Sequence, residues 1–261
     1  MRNSKLILSS WLTVAATVMA LGIPTAGAVG GPPNAANGQK IFTEGKGDAV
    51  QPCLTCHGEK AQGNDSMGAP RLANIGYGYV VKQLTNLAED KRTPGGVGVV
   101  MPGFAKGLSE QDRRDVSAYV NSLKTTPELS DLKELKTAGT PVGEPFKGAE
   151  IAEHGTSKVS ACSSCHAYNG RGADPVFPRI GQQKYVYLIN QLHNWRASDA
   201  DIAGGAVARA NDPAGMMRGI AKKLSDEDIL NVAAYLSFAS PTRGAGDAVP
   251  DNSMLLHAVS K

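Results

Sequence analysis

Apolar positions recur along this chain at helical spacing, and no stretch sustains the alternation of a strand. Val116, Tyr119, Val120 and Leu123 fall at i, i+3, i+4 and i+7, as do Ile229, Val232, Ala233 and Leu236. Each set follows a serine with an aspartate three residues on, Ser109 with Asp112 and Ser225 with Asp228. That pattern predicts a helix opened by a capping box. "YVVKQLTNL" from Tyr79 and "YLINQLHNW" from Tyr187 predict two further helices, and "GQKIF" and "GAEIA" two short ones. The Gly- and Pro-rich stretches 91–103 and 199–216 read as loops. The expected fold class is all-α.

The predicted elements come in matched pairs. "GQKIFTEG" from Gly38 matches "GAEIAEHG" from Gly148, and Pro70-Arg71-Leu72 matches Pro178-Arg179-Ile180. "YVVKQL" matches "YLINQL", "MPGFAKGLSEQD" from Met101 matches "MRGIAKKLSDED" from Met217, and "SAYV" matches "AAYL". Five blocks in the same order indicate a tandem duplication of a unit of roughly ninety residues. The expected organisation is a leader at 1–28, a first domain at 29–126, a linker at 127–145, a second domain at 146–240 and a tail at 241–261. "SDLKELK" within the linker has room for one or two helical turns.

The leader follows from Arg2 and Lys5, the apolar run Leu6 to Ile23, and the small residues Thr25 to Ala28. These are the parts of a secretory signal, with cleavage expected after Ala28 and a periplasmic destination. An uncleaved anchor is disfavoured by the Ser, Thr and Gly in the run and by its Ala-Gly-Ala end. Removing Arg2 and Lys5 from the 27 basic residues leaves 25 against 24 acidic ones. Such a balance excludes a nucleic-acid partner, and no basic run points to anionic lipid. Aromatic content is only 5%, with 30 glycines and 15 prolines. A core short of side-chain volume is consistent with a large buried cofactor.

All four cysteines are spent on two copies of one motif, Cys53-x-x-Cys56-His57 and Cys162-x-x-Cys165-His166. In an exported protein thiols tend to pair, yet two-residue loops make weak staples. C-x-x-C-H is the attachment pattern of c-type haem. Two thiols one helical turn apart add to the two vinyl groups, and the next residue turns its imidazole to the iron. A zinc ribbon needs cysteine pairs close together, whereas 105 residues separate Cys56 from Cys162. A thioredoxin-like pair needs a βαβ context. The motifs therefore predict two covalently bound haem c groups.

The opposite axial position decides between carrying electrons and activating small molecules. Met101 and Met217 occupy matched places seven residues before the Leu-Ser pairs Leu108-Ser109 and Leu224-Ser225. Both are expected in loops, where a methionine is a ligand arm more readily than core filler. Met216 competes with its neighbour, although the repeat alignment favours Met217. Met67 is a rival for the first haem but lies close to His57 in sequence. His154 and His193 lack histidine counterparts in the first repeat and read as non-ligands; Met254 and His257 in the tail read as surface residues. Pro70 and Pro178 present carbonyls that could orient the histidines, and they read equally well as turn prolines.

Together these motifs resemble class I cytochrome c, and two such units behind a leader resemble the dihaem cytochromes c4. The resemblance covers nearly the whole chain after the leader, apart from linker and tail. It implies two all-α domains facing each other across a pseudo-twofold interface, with the haem edges close. It implies His57 and His166 as proximal ligands, Met101 and Met217 as distal ligands, and Pro70 and Pro178 as histidine-orienting carbonyls. It implies a periplasmic, non-enzymatic electron carrier between respiratory donors and a terminal oxidase. Its partners would be redox proteins, whether a cytochrome, a copper protein or the oxidase, with peripheral membrane association as a further implication. The alternatives are a dihaem peroxidase-like enzyme, which would need one open axial position, and a cytochrome subunit of a dehydrogenase. The second long loop exceeds its counterpart by eight residues and departs from the repeat.

Overall fold

The computed structural model describes residues 31–124 and 126–240. The expected leader with its cleavage after Ala28, and the tail with Met254 and His257, lie outside the described residues. The described chain is helical: it holds no strand, only three isolated bridges, and no helix long and apolar enough to cross a membrane.

The first half comprises α1 (Ala35–Glu44), α2 (Leu54–His57), α3 (Tyr77–Ala88), α4 (Met101–Gly107) and α5 (Glu110–Ser122). α6 (Leu132–Thr137) follows in the linker. The second half comprises α7 (Pro145–Ala149), continued by a π-helical turn to His154, then α8 (Ser163–His166), α9 (Tyr185–Arg196), α10 (Asp199–Ala203), α11 (Met216–Ala221) and α12 (Asp226–Leu236). Ser109 and Ser225 cap α5 and α12, each reciprocated by the aspartate at the third helical position. The helices predicted from Tyr79 and Tyr187 begin two residues earlier, at Tyr77 and Tyr185.

Each half has its own apolar core. Ile41 and Phe42 of α1 meet Val116 and Val120 of α5 in the first, and Ile151 meets Ile229, Val232 and Tyr235 of α12 in the second. Glycine permits both crossings. A methyl group on Gly38 would lie 2.9 Å from the Val116 nitrogen and nearer still to the Asp115 carbonyl. On Gly148 it would lie 2.9 Å from Tyr235 Cβ and nearer still to the Asn231 carbonyl. The repeated glycine of "GQKIF" and "GAEIA" is therefore the point of closest helix approach.

Several segments read as loops take up helical turns. Met101 is the first residue of α4 and Met217 the second residue of α11, rather than loop residues. Gly96–Val100 winds into a 3₁₀ turn. α10 arises because Ser198 and Asp201 form a capping box inside the longer second loop. The linker is strapped to the second half. Lys184 Nζ donates to the Glu128 carbonyl at 2.9 Å, and Tyr185 N donates to Ser130 Oγ at 2.9 Å. Tyr185 Oη donates to the Pro141 carbonyl at 2.8 Å, and Leu132, Leu135 and Val142 pack on the second core.

The halves meet through a reciprocal polar interface. The Asp174 carboxylate accepts from Gly78 N at 2.9 Å and Tyr79 N at 2.8 Å, capping α3 from the other half. Asp65 Oδ1 accepts from Val186 N at 3.0 Å in the first turn of α9. Arg71 Nη2 donates to the Gly181 carbonyl at 2.9 Å, and Arg179 N donates to the Ile75 carbonyl at 3.3 Å. Gln183 closes a ring with the Arg71 backbone, accepting at 2.7 Å and donating at 3.0 Å. Burial, with the charge of Arg179 nearby, lowers the Arg71 guanidinium to about 10.

Candidate functional site

Each cysteine motif is a single turn of helix. His57 N donates to the Cys53 carbonyl at 3.0 Å, and His166 N to the Cys162 carbonyl at 2.9 Å. One turn brings side chains three residues apart to one face, so the two thiols of each motif are neighbours and the histidine follows them inward. Burial pushes the Cys53 and Cys162 thiols up to about 11. They are protonated near neutrality, unlike the low-pKa thiolates of redox motifs.

His57 is 6% exposed and His166 7%. His57 Nδ1 lies 2.9 Å from the Pro70 carbonyl, and His166 Nδ1 lies 2.9 Å from the Pro178 carbonyl. A carbonyl oxygen only accepts, so Nδ1 carries the proton and Nε2 keeps its lone pair. Burial lowers both imidazoles below their ordinary range, against a smaller opposite pull from the proline carbonyls. Neutral, oriented imidazoles with a free Nε2 are the form that ligates metal. The carbonyls are held in turn by tight loops, in which Gly63 N donates to the His57 carbonyl at 2.8 Å and Gly172 N to that of His166 at 2.6 Å.

One continuous cavity of about 1070 Å³ runs through both halves. Cys53, Cys56, His57, Pro70 and Met101 line it from the first half, and Cys162, Cys165, His166, Pro178 and Met217 from the second. All ten residues singled out by the repeat therefore reach one space. Met67 and Met216 also line it, and Met216 is 40% exposed. His154 is exposed and outside the lining. His193 does line the cavity, and its Nδ1 is engaged by Asp201 Oδ1 at 2.8 Å. The donor set in each half (paired thiols on one turn, a neutral imidazole, a thioether) fits a covalently held haem with two protein ligands.

Sequence reasoning missed the polar centre where the halves meet. Arg92 Nη1 donates to Gln83 Oε1 at 2.9 Å, and its Nη2 to Tyr187 Oη and Gln191 Oε1, both at 3.1 Å. Arg209 donates to Gln191 Oε1 at 2.6 Å and Gln83 Oε1 at 3.1 Å, and its guanidinium carbon stacks 4.0 Å from the Trp195 ring centre. The repeat did carry a signal: Tyr79 with Gln83 and Tyr187 with Gln191 occupy matched positions on α3 and α9.

Comparison with known proteins agrees with this geometry. The family model described as Cytochrome c matches residues 35–124 and 147–239. The thiosulfate dehydrogenase electron acceptor of Stutzerimonas stutzeri (strain A1501) is 33% identical over 206 residues, spanning 78% of this chain and 86% of that protein. Cytochrome c4 of Pseudomonas aeruginosa is 34% identical over 187 residues, spanning 70% of this chain and 82% of that protein. The crystal structure of reduced recombinant cytochrome c4 from Pseudomonas stutzeri superposes with a TM-score of 0.61 at 30% identity, covering 80% of this chain and all of the other.

Proposed function

This chain belongs to the cytochrome c family as a dihaem electron carrier of the cytochrome c4 type with two covalently bound haem c groups, and we propose that it carries electrons in the periplasm from respiratory donors to a terminal oxidase. The observation that supports this most is the matched pairing of a buried histidine and a methionine in each half of one cavity. Two protein ligands to each haem would leave no position for substrate. The reading therefore makes the protein a carrier and not a catalyst.

In this reading Cys53 with Cys56, and Cys162 with Cys165, hold the two haem groups as thioethers. His57 and His166 would hold the iron through Nε2, and Met101 and Met217 would offer it sulfur from the first turn of α4 and α11. The haem iron supplies the one-electron couple when bound. The Pro70 and Pro178 carbonyls keep each imidazole in one tautomer and one orientation, so the ligands need not rearrange between oxidation states. Apolar side chains such as Leu84, Leu108, Leu188 and Leu224 line the cavity and exclude water. The leader around Arg2 and Lys5 supports the periplasmic assignment.

A potentiometric titration followed by visible spectra tests this reading. It should count two haems per chain, both six-coordinate with histidine and methionine. Ready binding of carbon monoxide to the native reduced protein would overturn it, and so would peroxide turnover with a reduced donor. A narrower reading is supported by the relative named an electron acceptor for thiosulfate dehydrogenase: the donor here is a dehydrogenase of that kind. Reduction of this protein by such an enzyme with thiosulfate, faster than reduction of an unrelated cytochrome, would establish it.

A further inference from the structure

The turns that lead into Pro70 and Pro178 are built alike. Asn64 and Ala69 exchange a pair of backbone hydrogen bonds, both at 2.9 Å, and Ala173 and Phe177 exchange another pair at 2.7 and 2.9 Å. Each turn also reaches the opposite half, through Asp65 to Val186 N at 3.0 Å and through Asp174 to Gly78 N at 2.9 Å. Each is followed by the proline whose carbonyl lies 2.9 Å from a histidine Nδ1. The residue that closes the turn, just before that proline, is where the two differ. It is Ala69 in the first half and Phe177 in the second.

Phe177 packs on the histidine. Its ring centre lies 6.1 Å from that of His166, and the two planes cross at 73°. That is the edge-to-face arrangement aromatic pairs favour over a flat sandwich. Among the described residues, no aromatic ring makes such a contact with His57. Burial is not what the phenyl ring adds, because His166 is 7% exposed and His57 6% without an aromatic neighbour. What it adds is orientation. A hydrogen bond at Nδ1 fixes one point of an imidazole, and the ring can still rock about the line to the carbonyl oxygen. A flat neighbour away from that line removes the rocking. Both constraints on His166 come from adjacent residues of one turn, and Asp174 anchors that turn to α3 of the other half. His57 has the carbonyl alone, with a methyl group where the second constraint would be.

We propose that Phe177 is a positioning residue for the second site, fixing the plane of the His166 imidazole, and that Ala69 leaves the His57 imidazole free to rock. The inference rests on the dihaem reading and deepens it. Two sites with the same donor set then differ in one respect, the spread of orientations open to the ligating ring.

The test is electron paramagnetic resonance of the oxidised full-length holoprotein, native and carrying Phe177→Ala, Phe177→Leu or Phe177→Tyr. A spread of imidazole orientations broadens a low-spin ferric signal. The native protein should therefore show one narrow signal and one broad one. Phe177→Ala should abolish the narrow signal and leave the broad one in place. Phe177→Leu fills space without a flat face and should do the same, whereas Phe177→Tyr keeps the ring and should keep the narrow signal. In the reduced, diamagnetic protein, nuclear magnetic resonance should show the His166 Nδ1 proton exchanging about fivefold faster in Phe177→Ala, the factor an aromatic pair brings to a local opening equilibrium, with the His57 proton unchanged. Two native signals of equal width would overturn the proposal. So would a narrow signal that survives in Phe177→Ala and Phe177→Leu, or a change that falls equally on both signals. Haem counts on the same samples separate this from the underlying reading: fewer than two covalent haems in the native chain would overturn that reading and the proposal with it.

Discussion

Gly148→Ala puts a methyl group where α7 crosses α12. The added carbon would sit 2.9 Å from Tyr235 Cβ, against the 3.4 Å at which ordinary contact begins, and closer still to the Asn231 backbone. Relief requires the two helices to part by about 0.5 Å or more in a close-packed core. The obstacle is backbone and not a side-chain tip that can swing aside, so the overpacking cost belongs near the upper end of its usual range, about 3 kcal/mol. Alanine returns about 1 kcal/mol in helix propensity. The net loss is about 2 kcal/mol, and for a domain of this size a melting point lower by about 8 °C or more. Thermal unfolding followed by far-ultraviolet circular dichroism reads this directly. Gly38→Ala should behave likewise in the first half, where α1 meets α5. Gly219→Ala is the control, since a methyl group there meets nothing within 4 Å and should leave the protein as stable or slightly more so. A Gly148→Ala protein that melts at or above the native temperature would refute the close-approach argument.

Other consequences are equally open to measurement. Met217→Ala should let carbon monoxide bind one reduced haem while Met216→Ala leaves both closed, and the reverse result would reassign the ligand. Asp174→Ala removes a carboxylate that accepts from Gly78 N and Tyr79 N; the loss of about 1 kcal/mol should appear in urea unfolding, with faster hydrogen exchange at those two amides. Asp201 is held well below the usual carboxylate range by its hydrogen bond with Arg196. A depressed folded-state pKa contributes stability above the unfolded value of about 3.9 that is lost as pH falls. Asp201→Asn should therefore be less stable than the native protein at pH 7, and the difference should shrink steadily below about pH 4 in chemical denaturation.

The parts of the fold that local chemistry decides were legible in the chain. Ser109 with Asp112 and Ser225 with Asp228 predicted helix starts because a capping box involves only residues three apart. The same pattern in Ser198 and Asp201 builds α10 just ahead of Gly204 and Gly205. The glycines and prolines around Met101 and Met217 point to loops, yet proline is tolerated in a first helical turn and Pro102 sits there in α4, while Met217 lies in the first turn of α11. The ten cavity-lining residues could be named because duplication repeats them in order. The interface could not be read in the same way. Asp174 to Tyr79, and Arg209 to Gln83, are contacts across 95 and 126 residues of sequence. No local periodicity encodes them, and their only trace was the matched Tyr and Gln on α3 and α9. His193 has no counterpart in the first repeat because its partner Asp201 comes from the longer second loop.

The strapped linker changes how strong the contact between halves has to be. Leu123 packs against the first core, and Glu128 and Ser130 are already bonded to the second half, so the covalent tie between the two bodies is only a few residues long. A tether that short holds each half at an effective concentration on the order of millimolar with respect to the other. Docking then needs an intrinsic dissociation constant only below that level, a weak association by the standards of separate proteins. An interface built from carboxylate caps, buried amides and arginines is sufficient under those terms. Cutting the chain between Leu123 and Glu128 would return the contact to bulk concentration, and at micromolar protein the two halves would part.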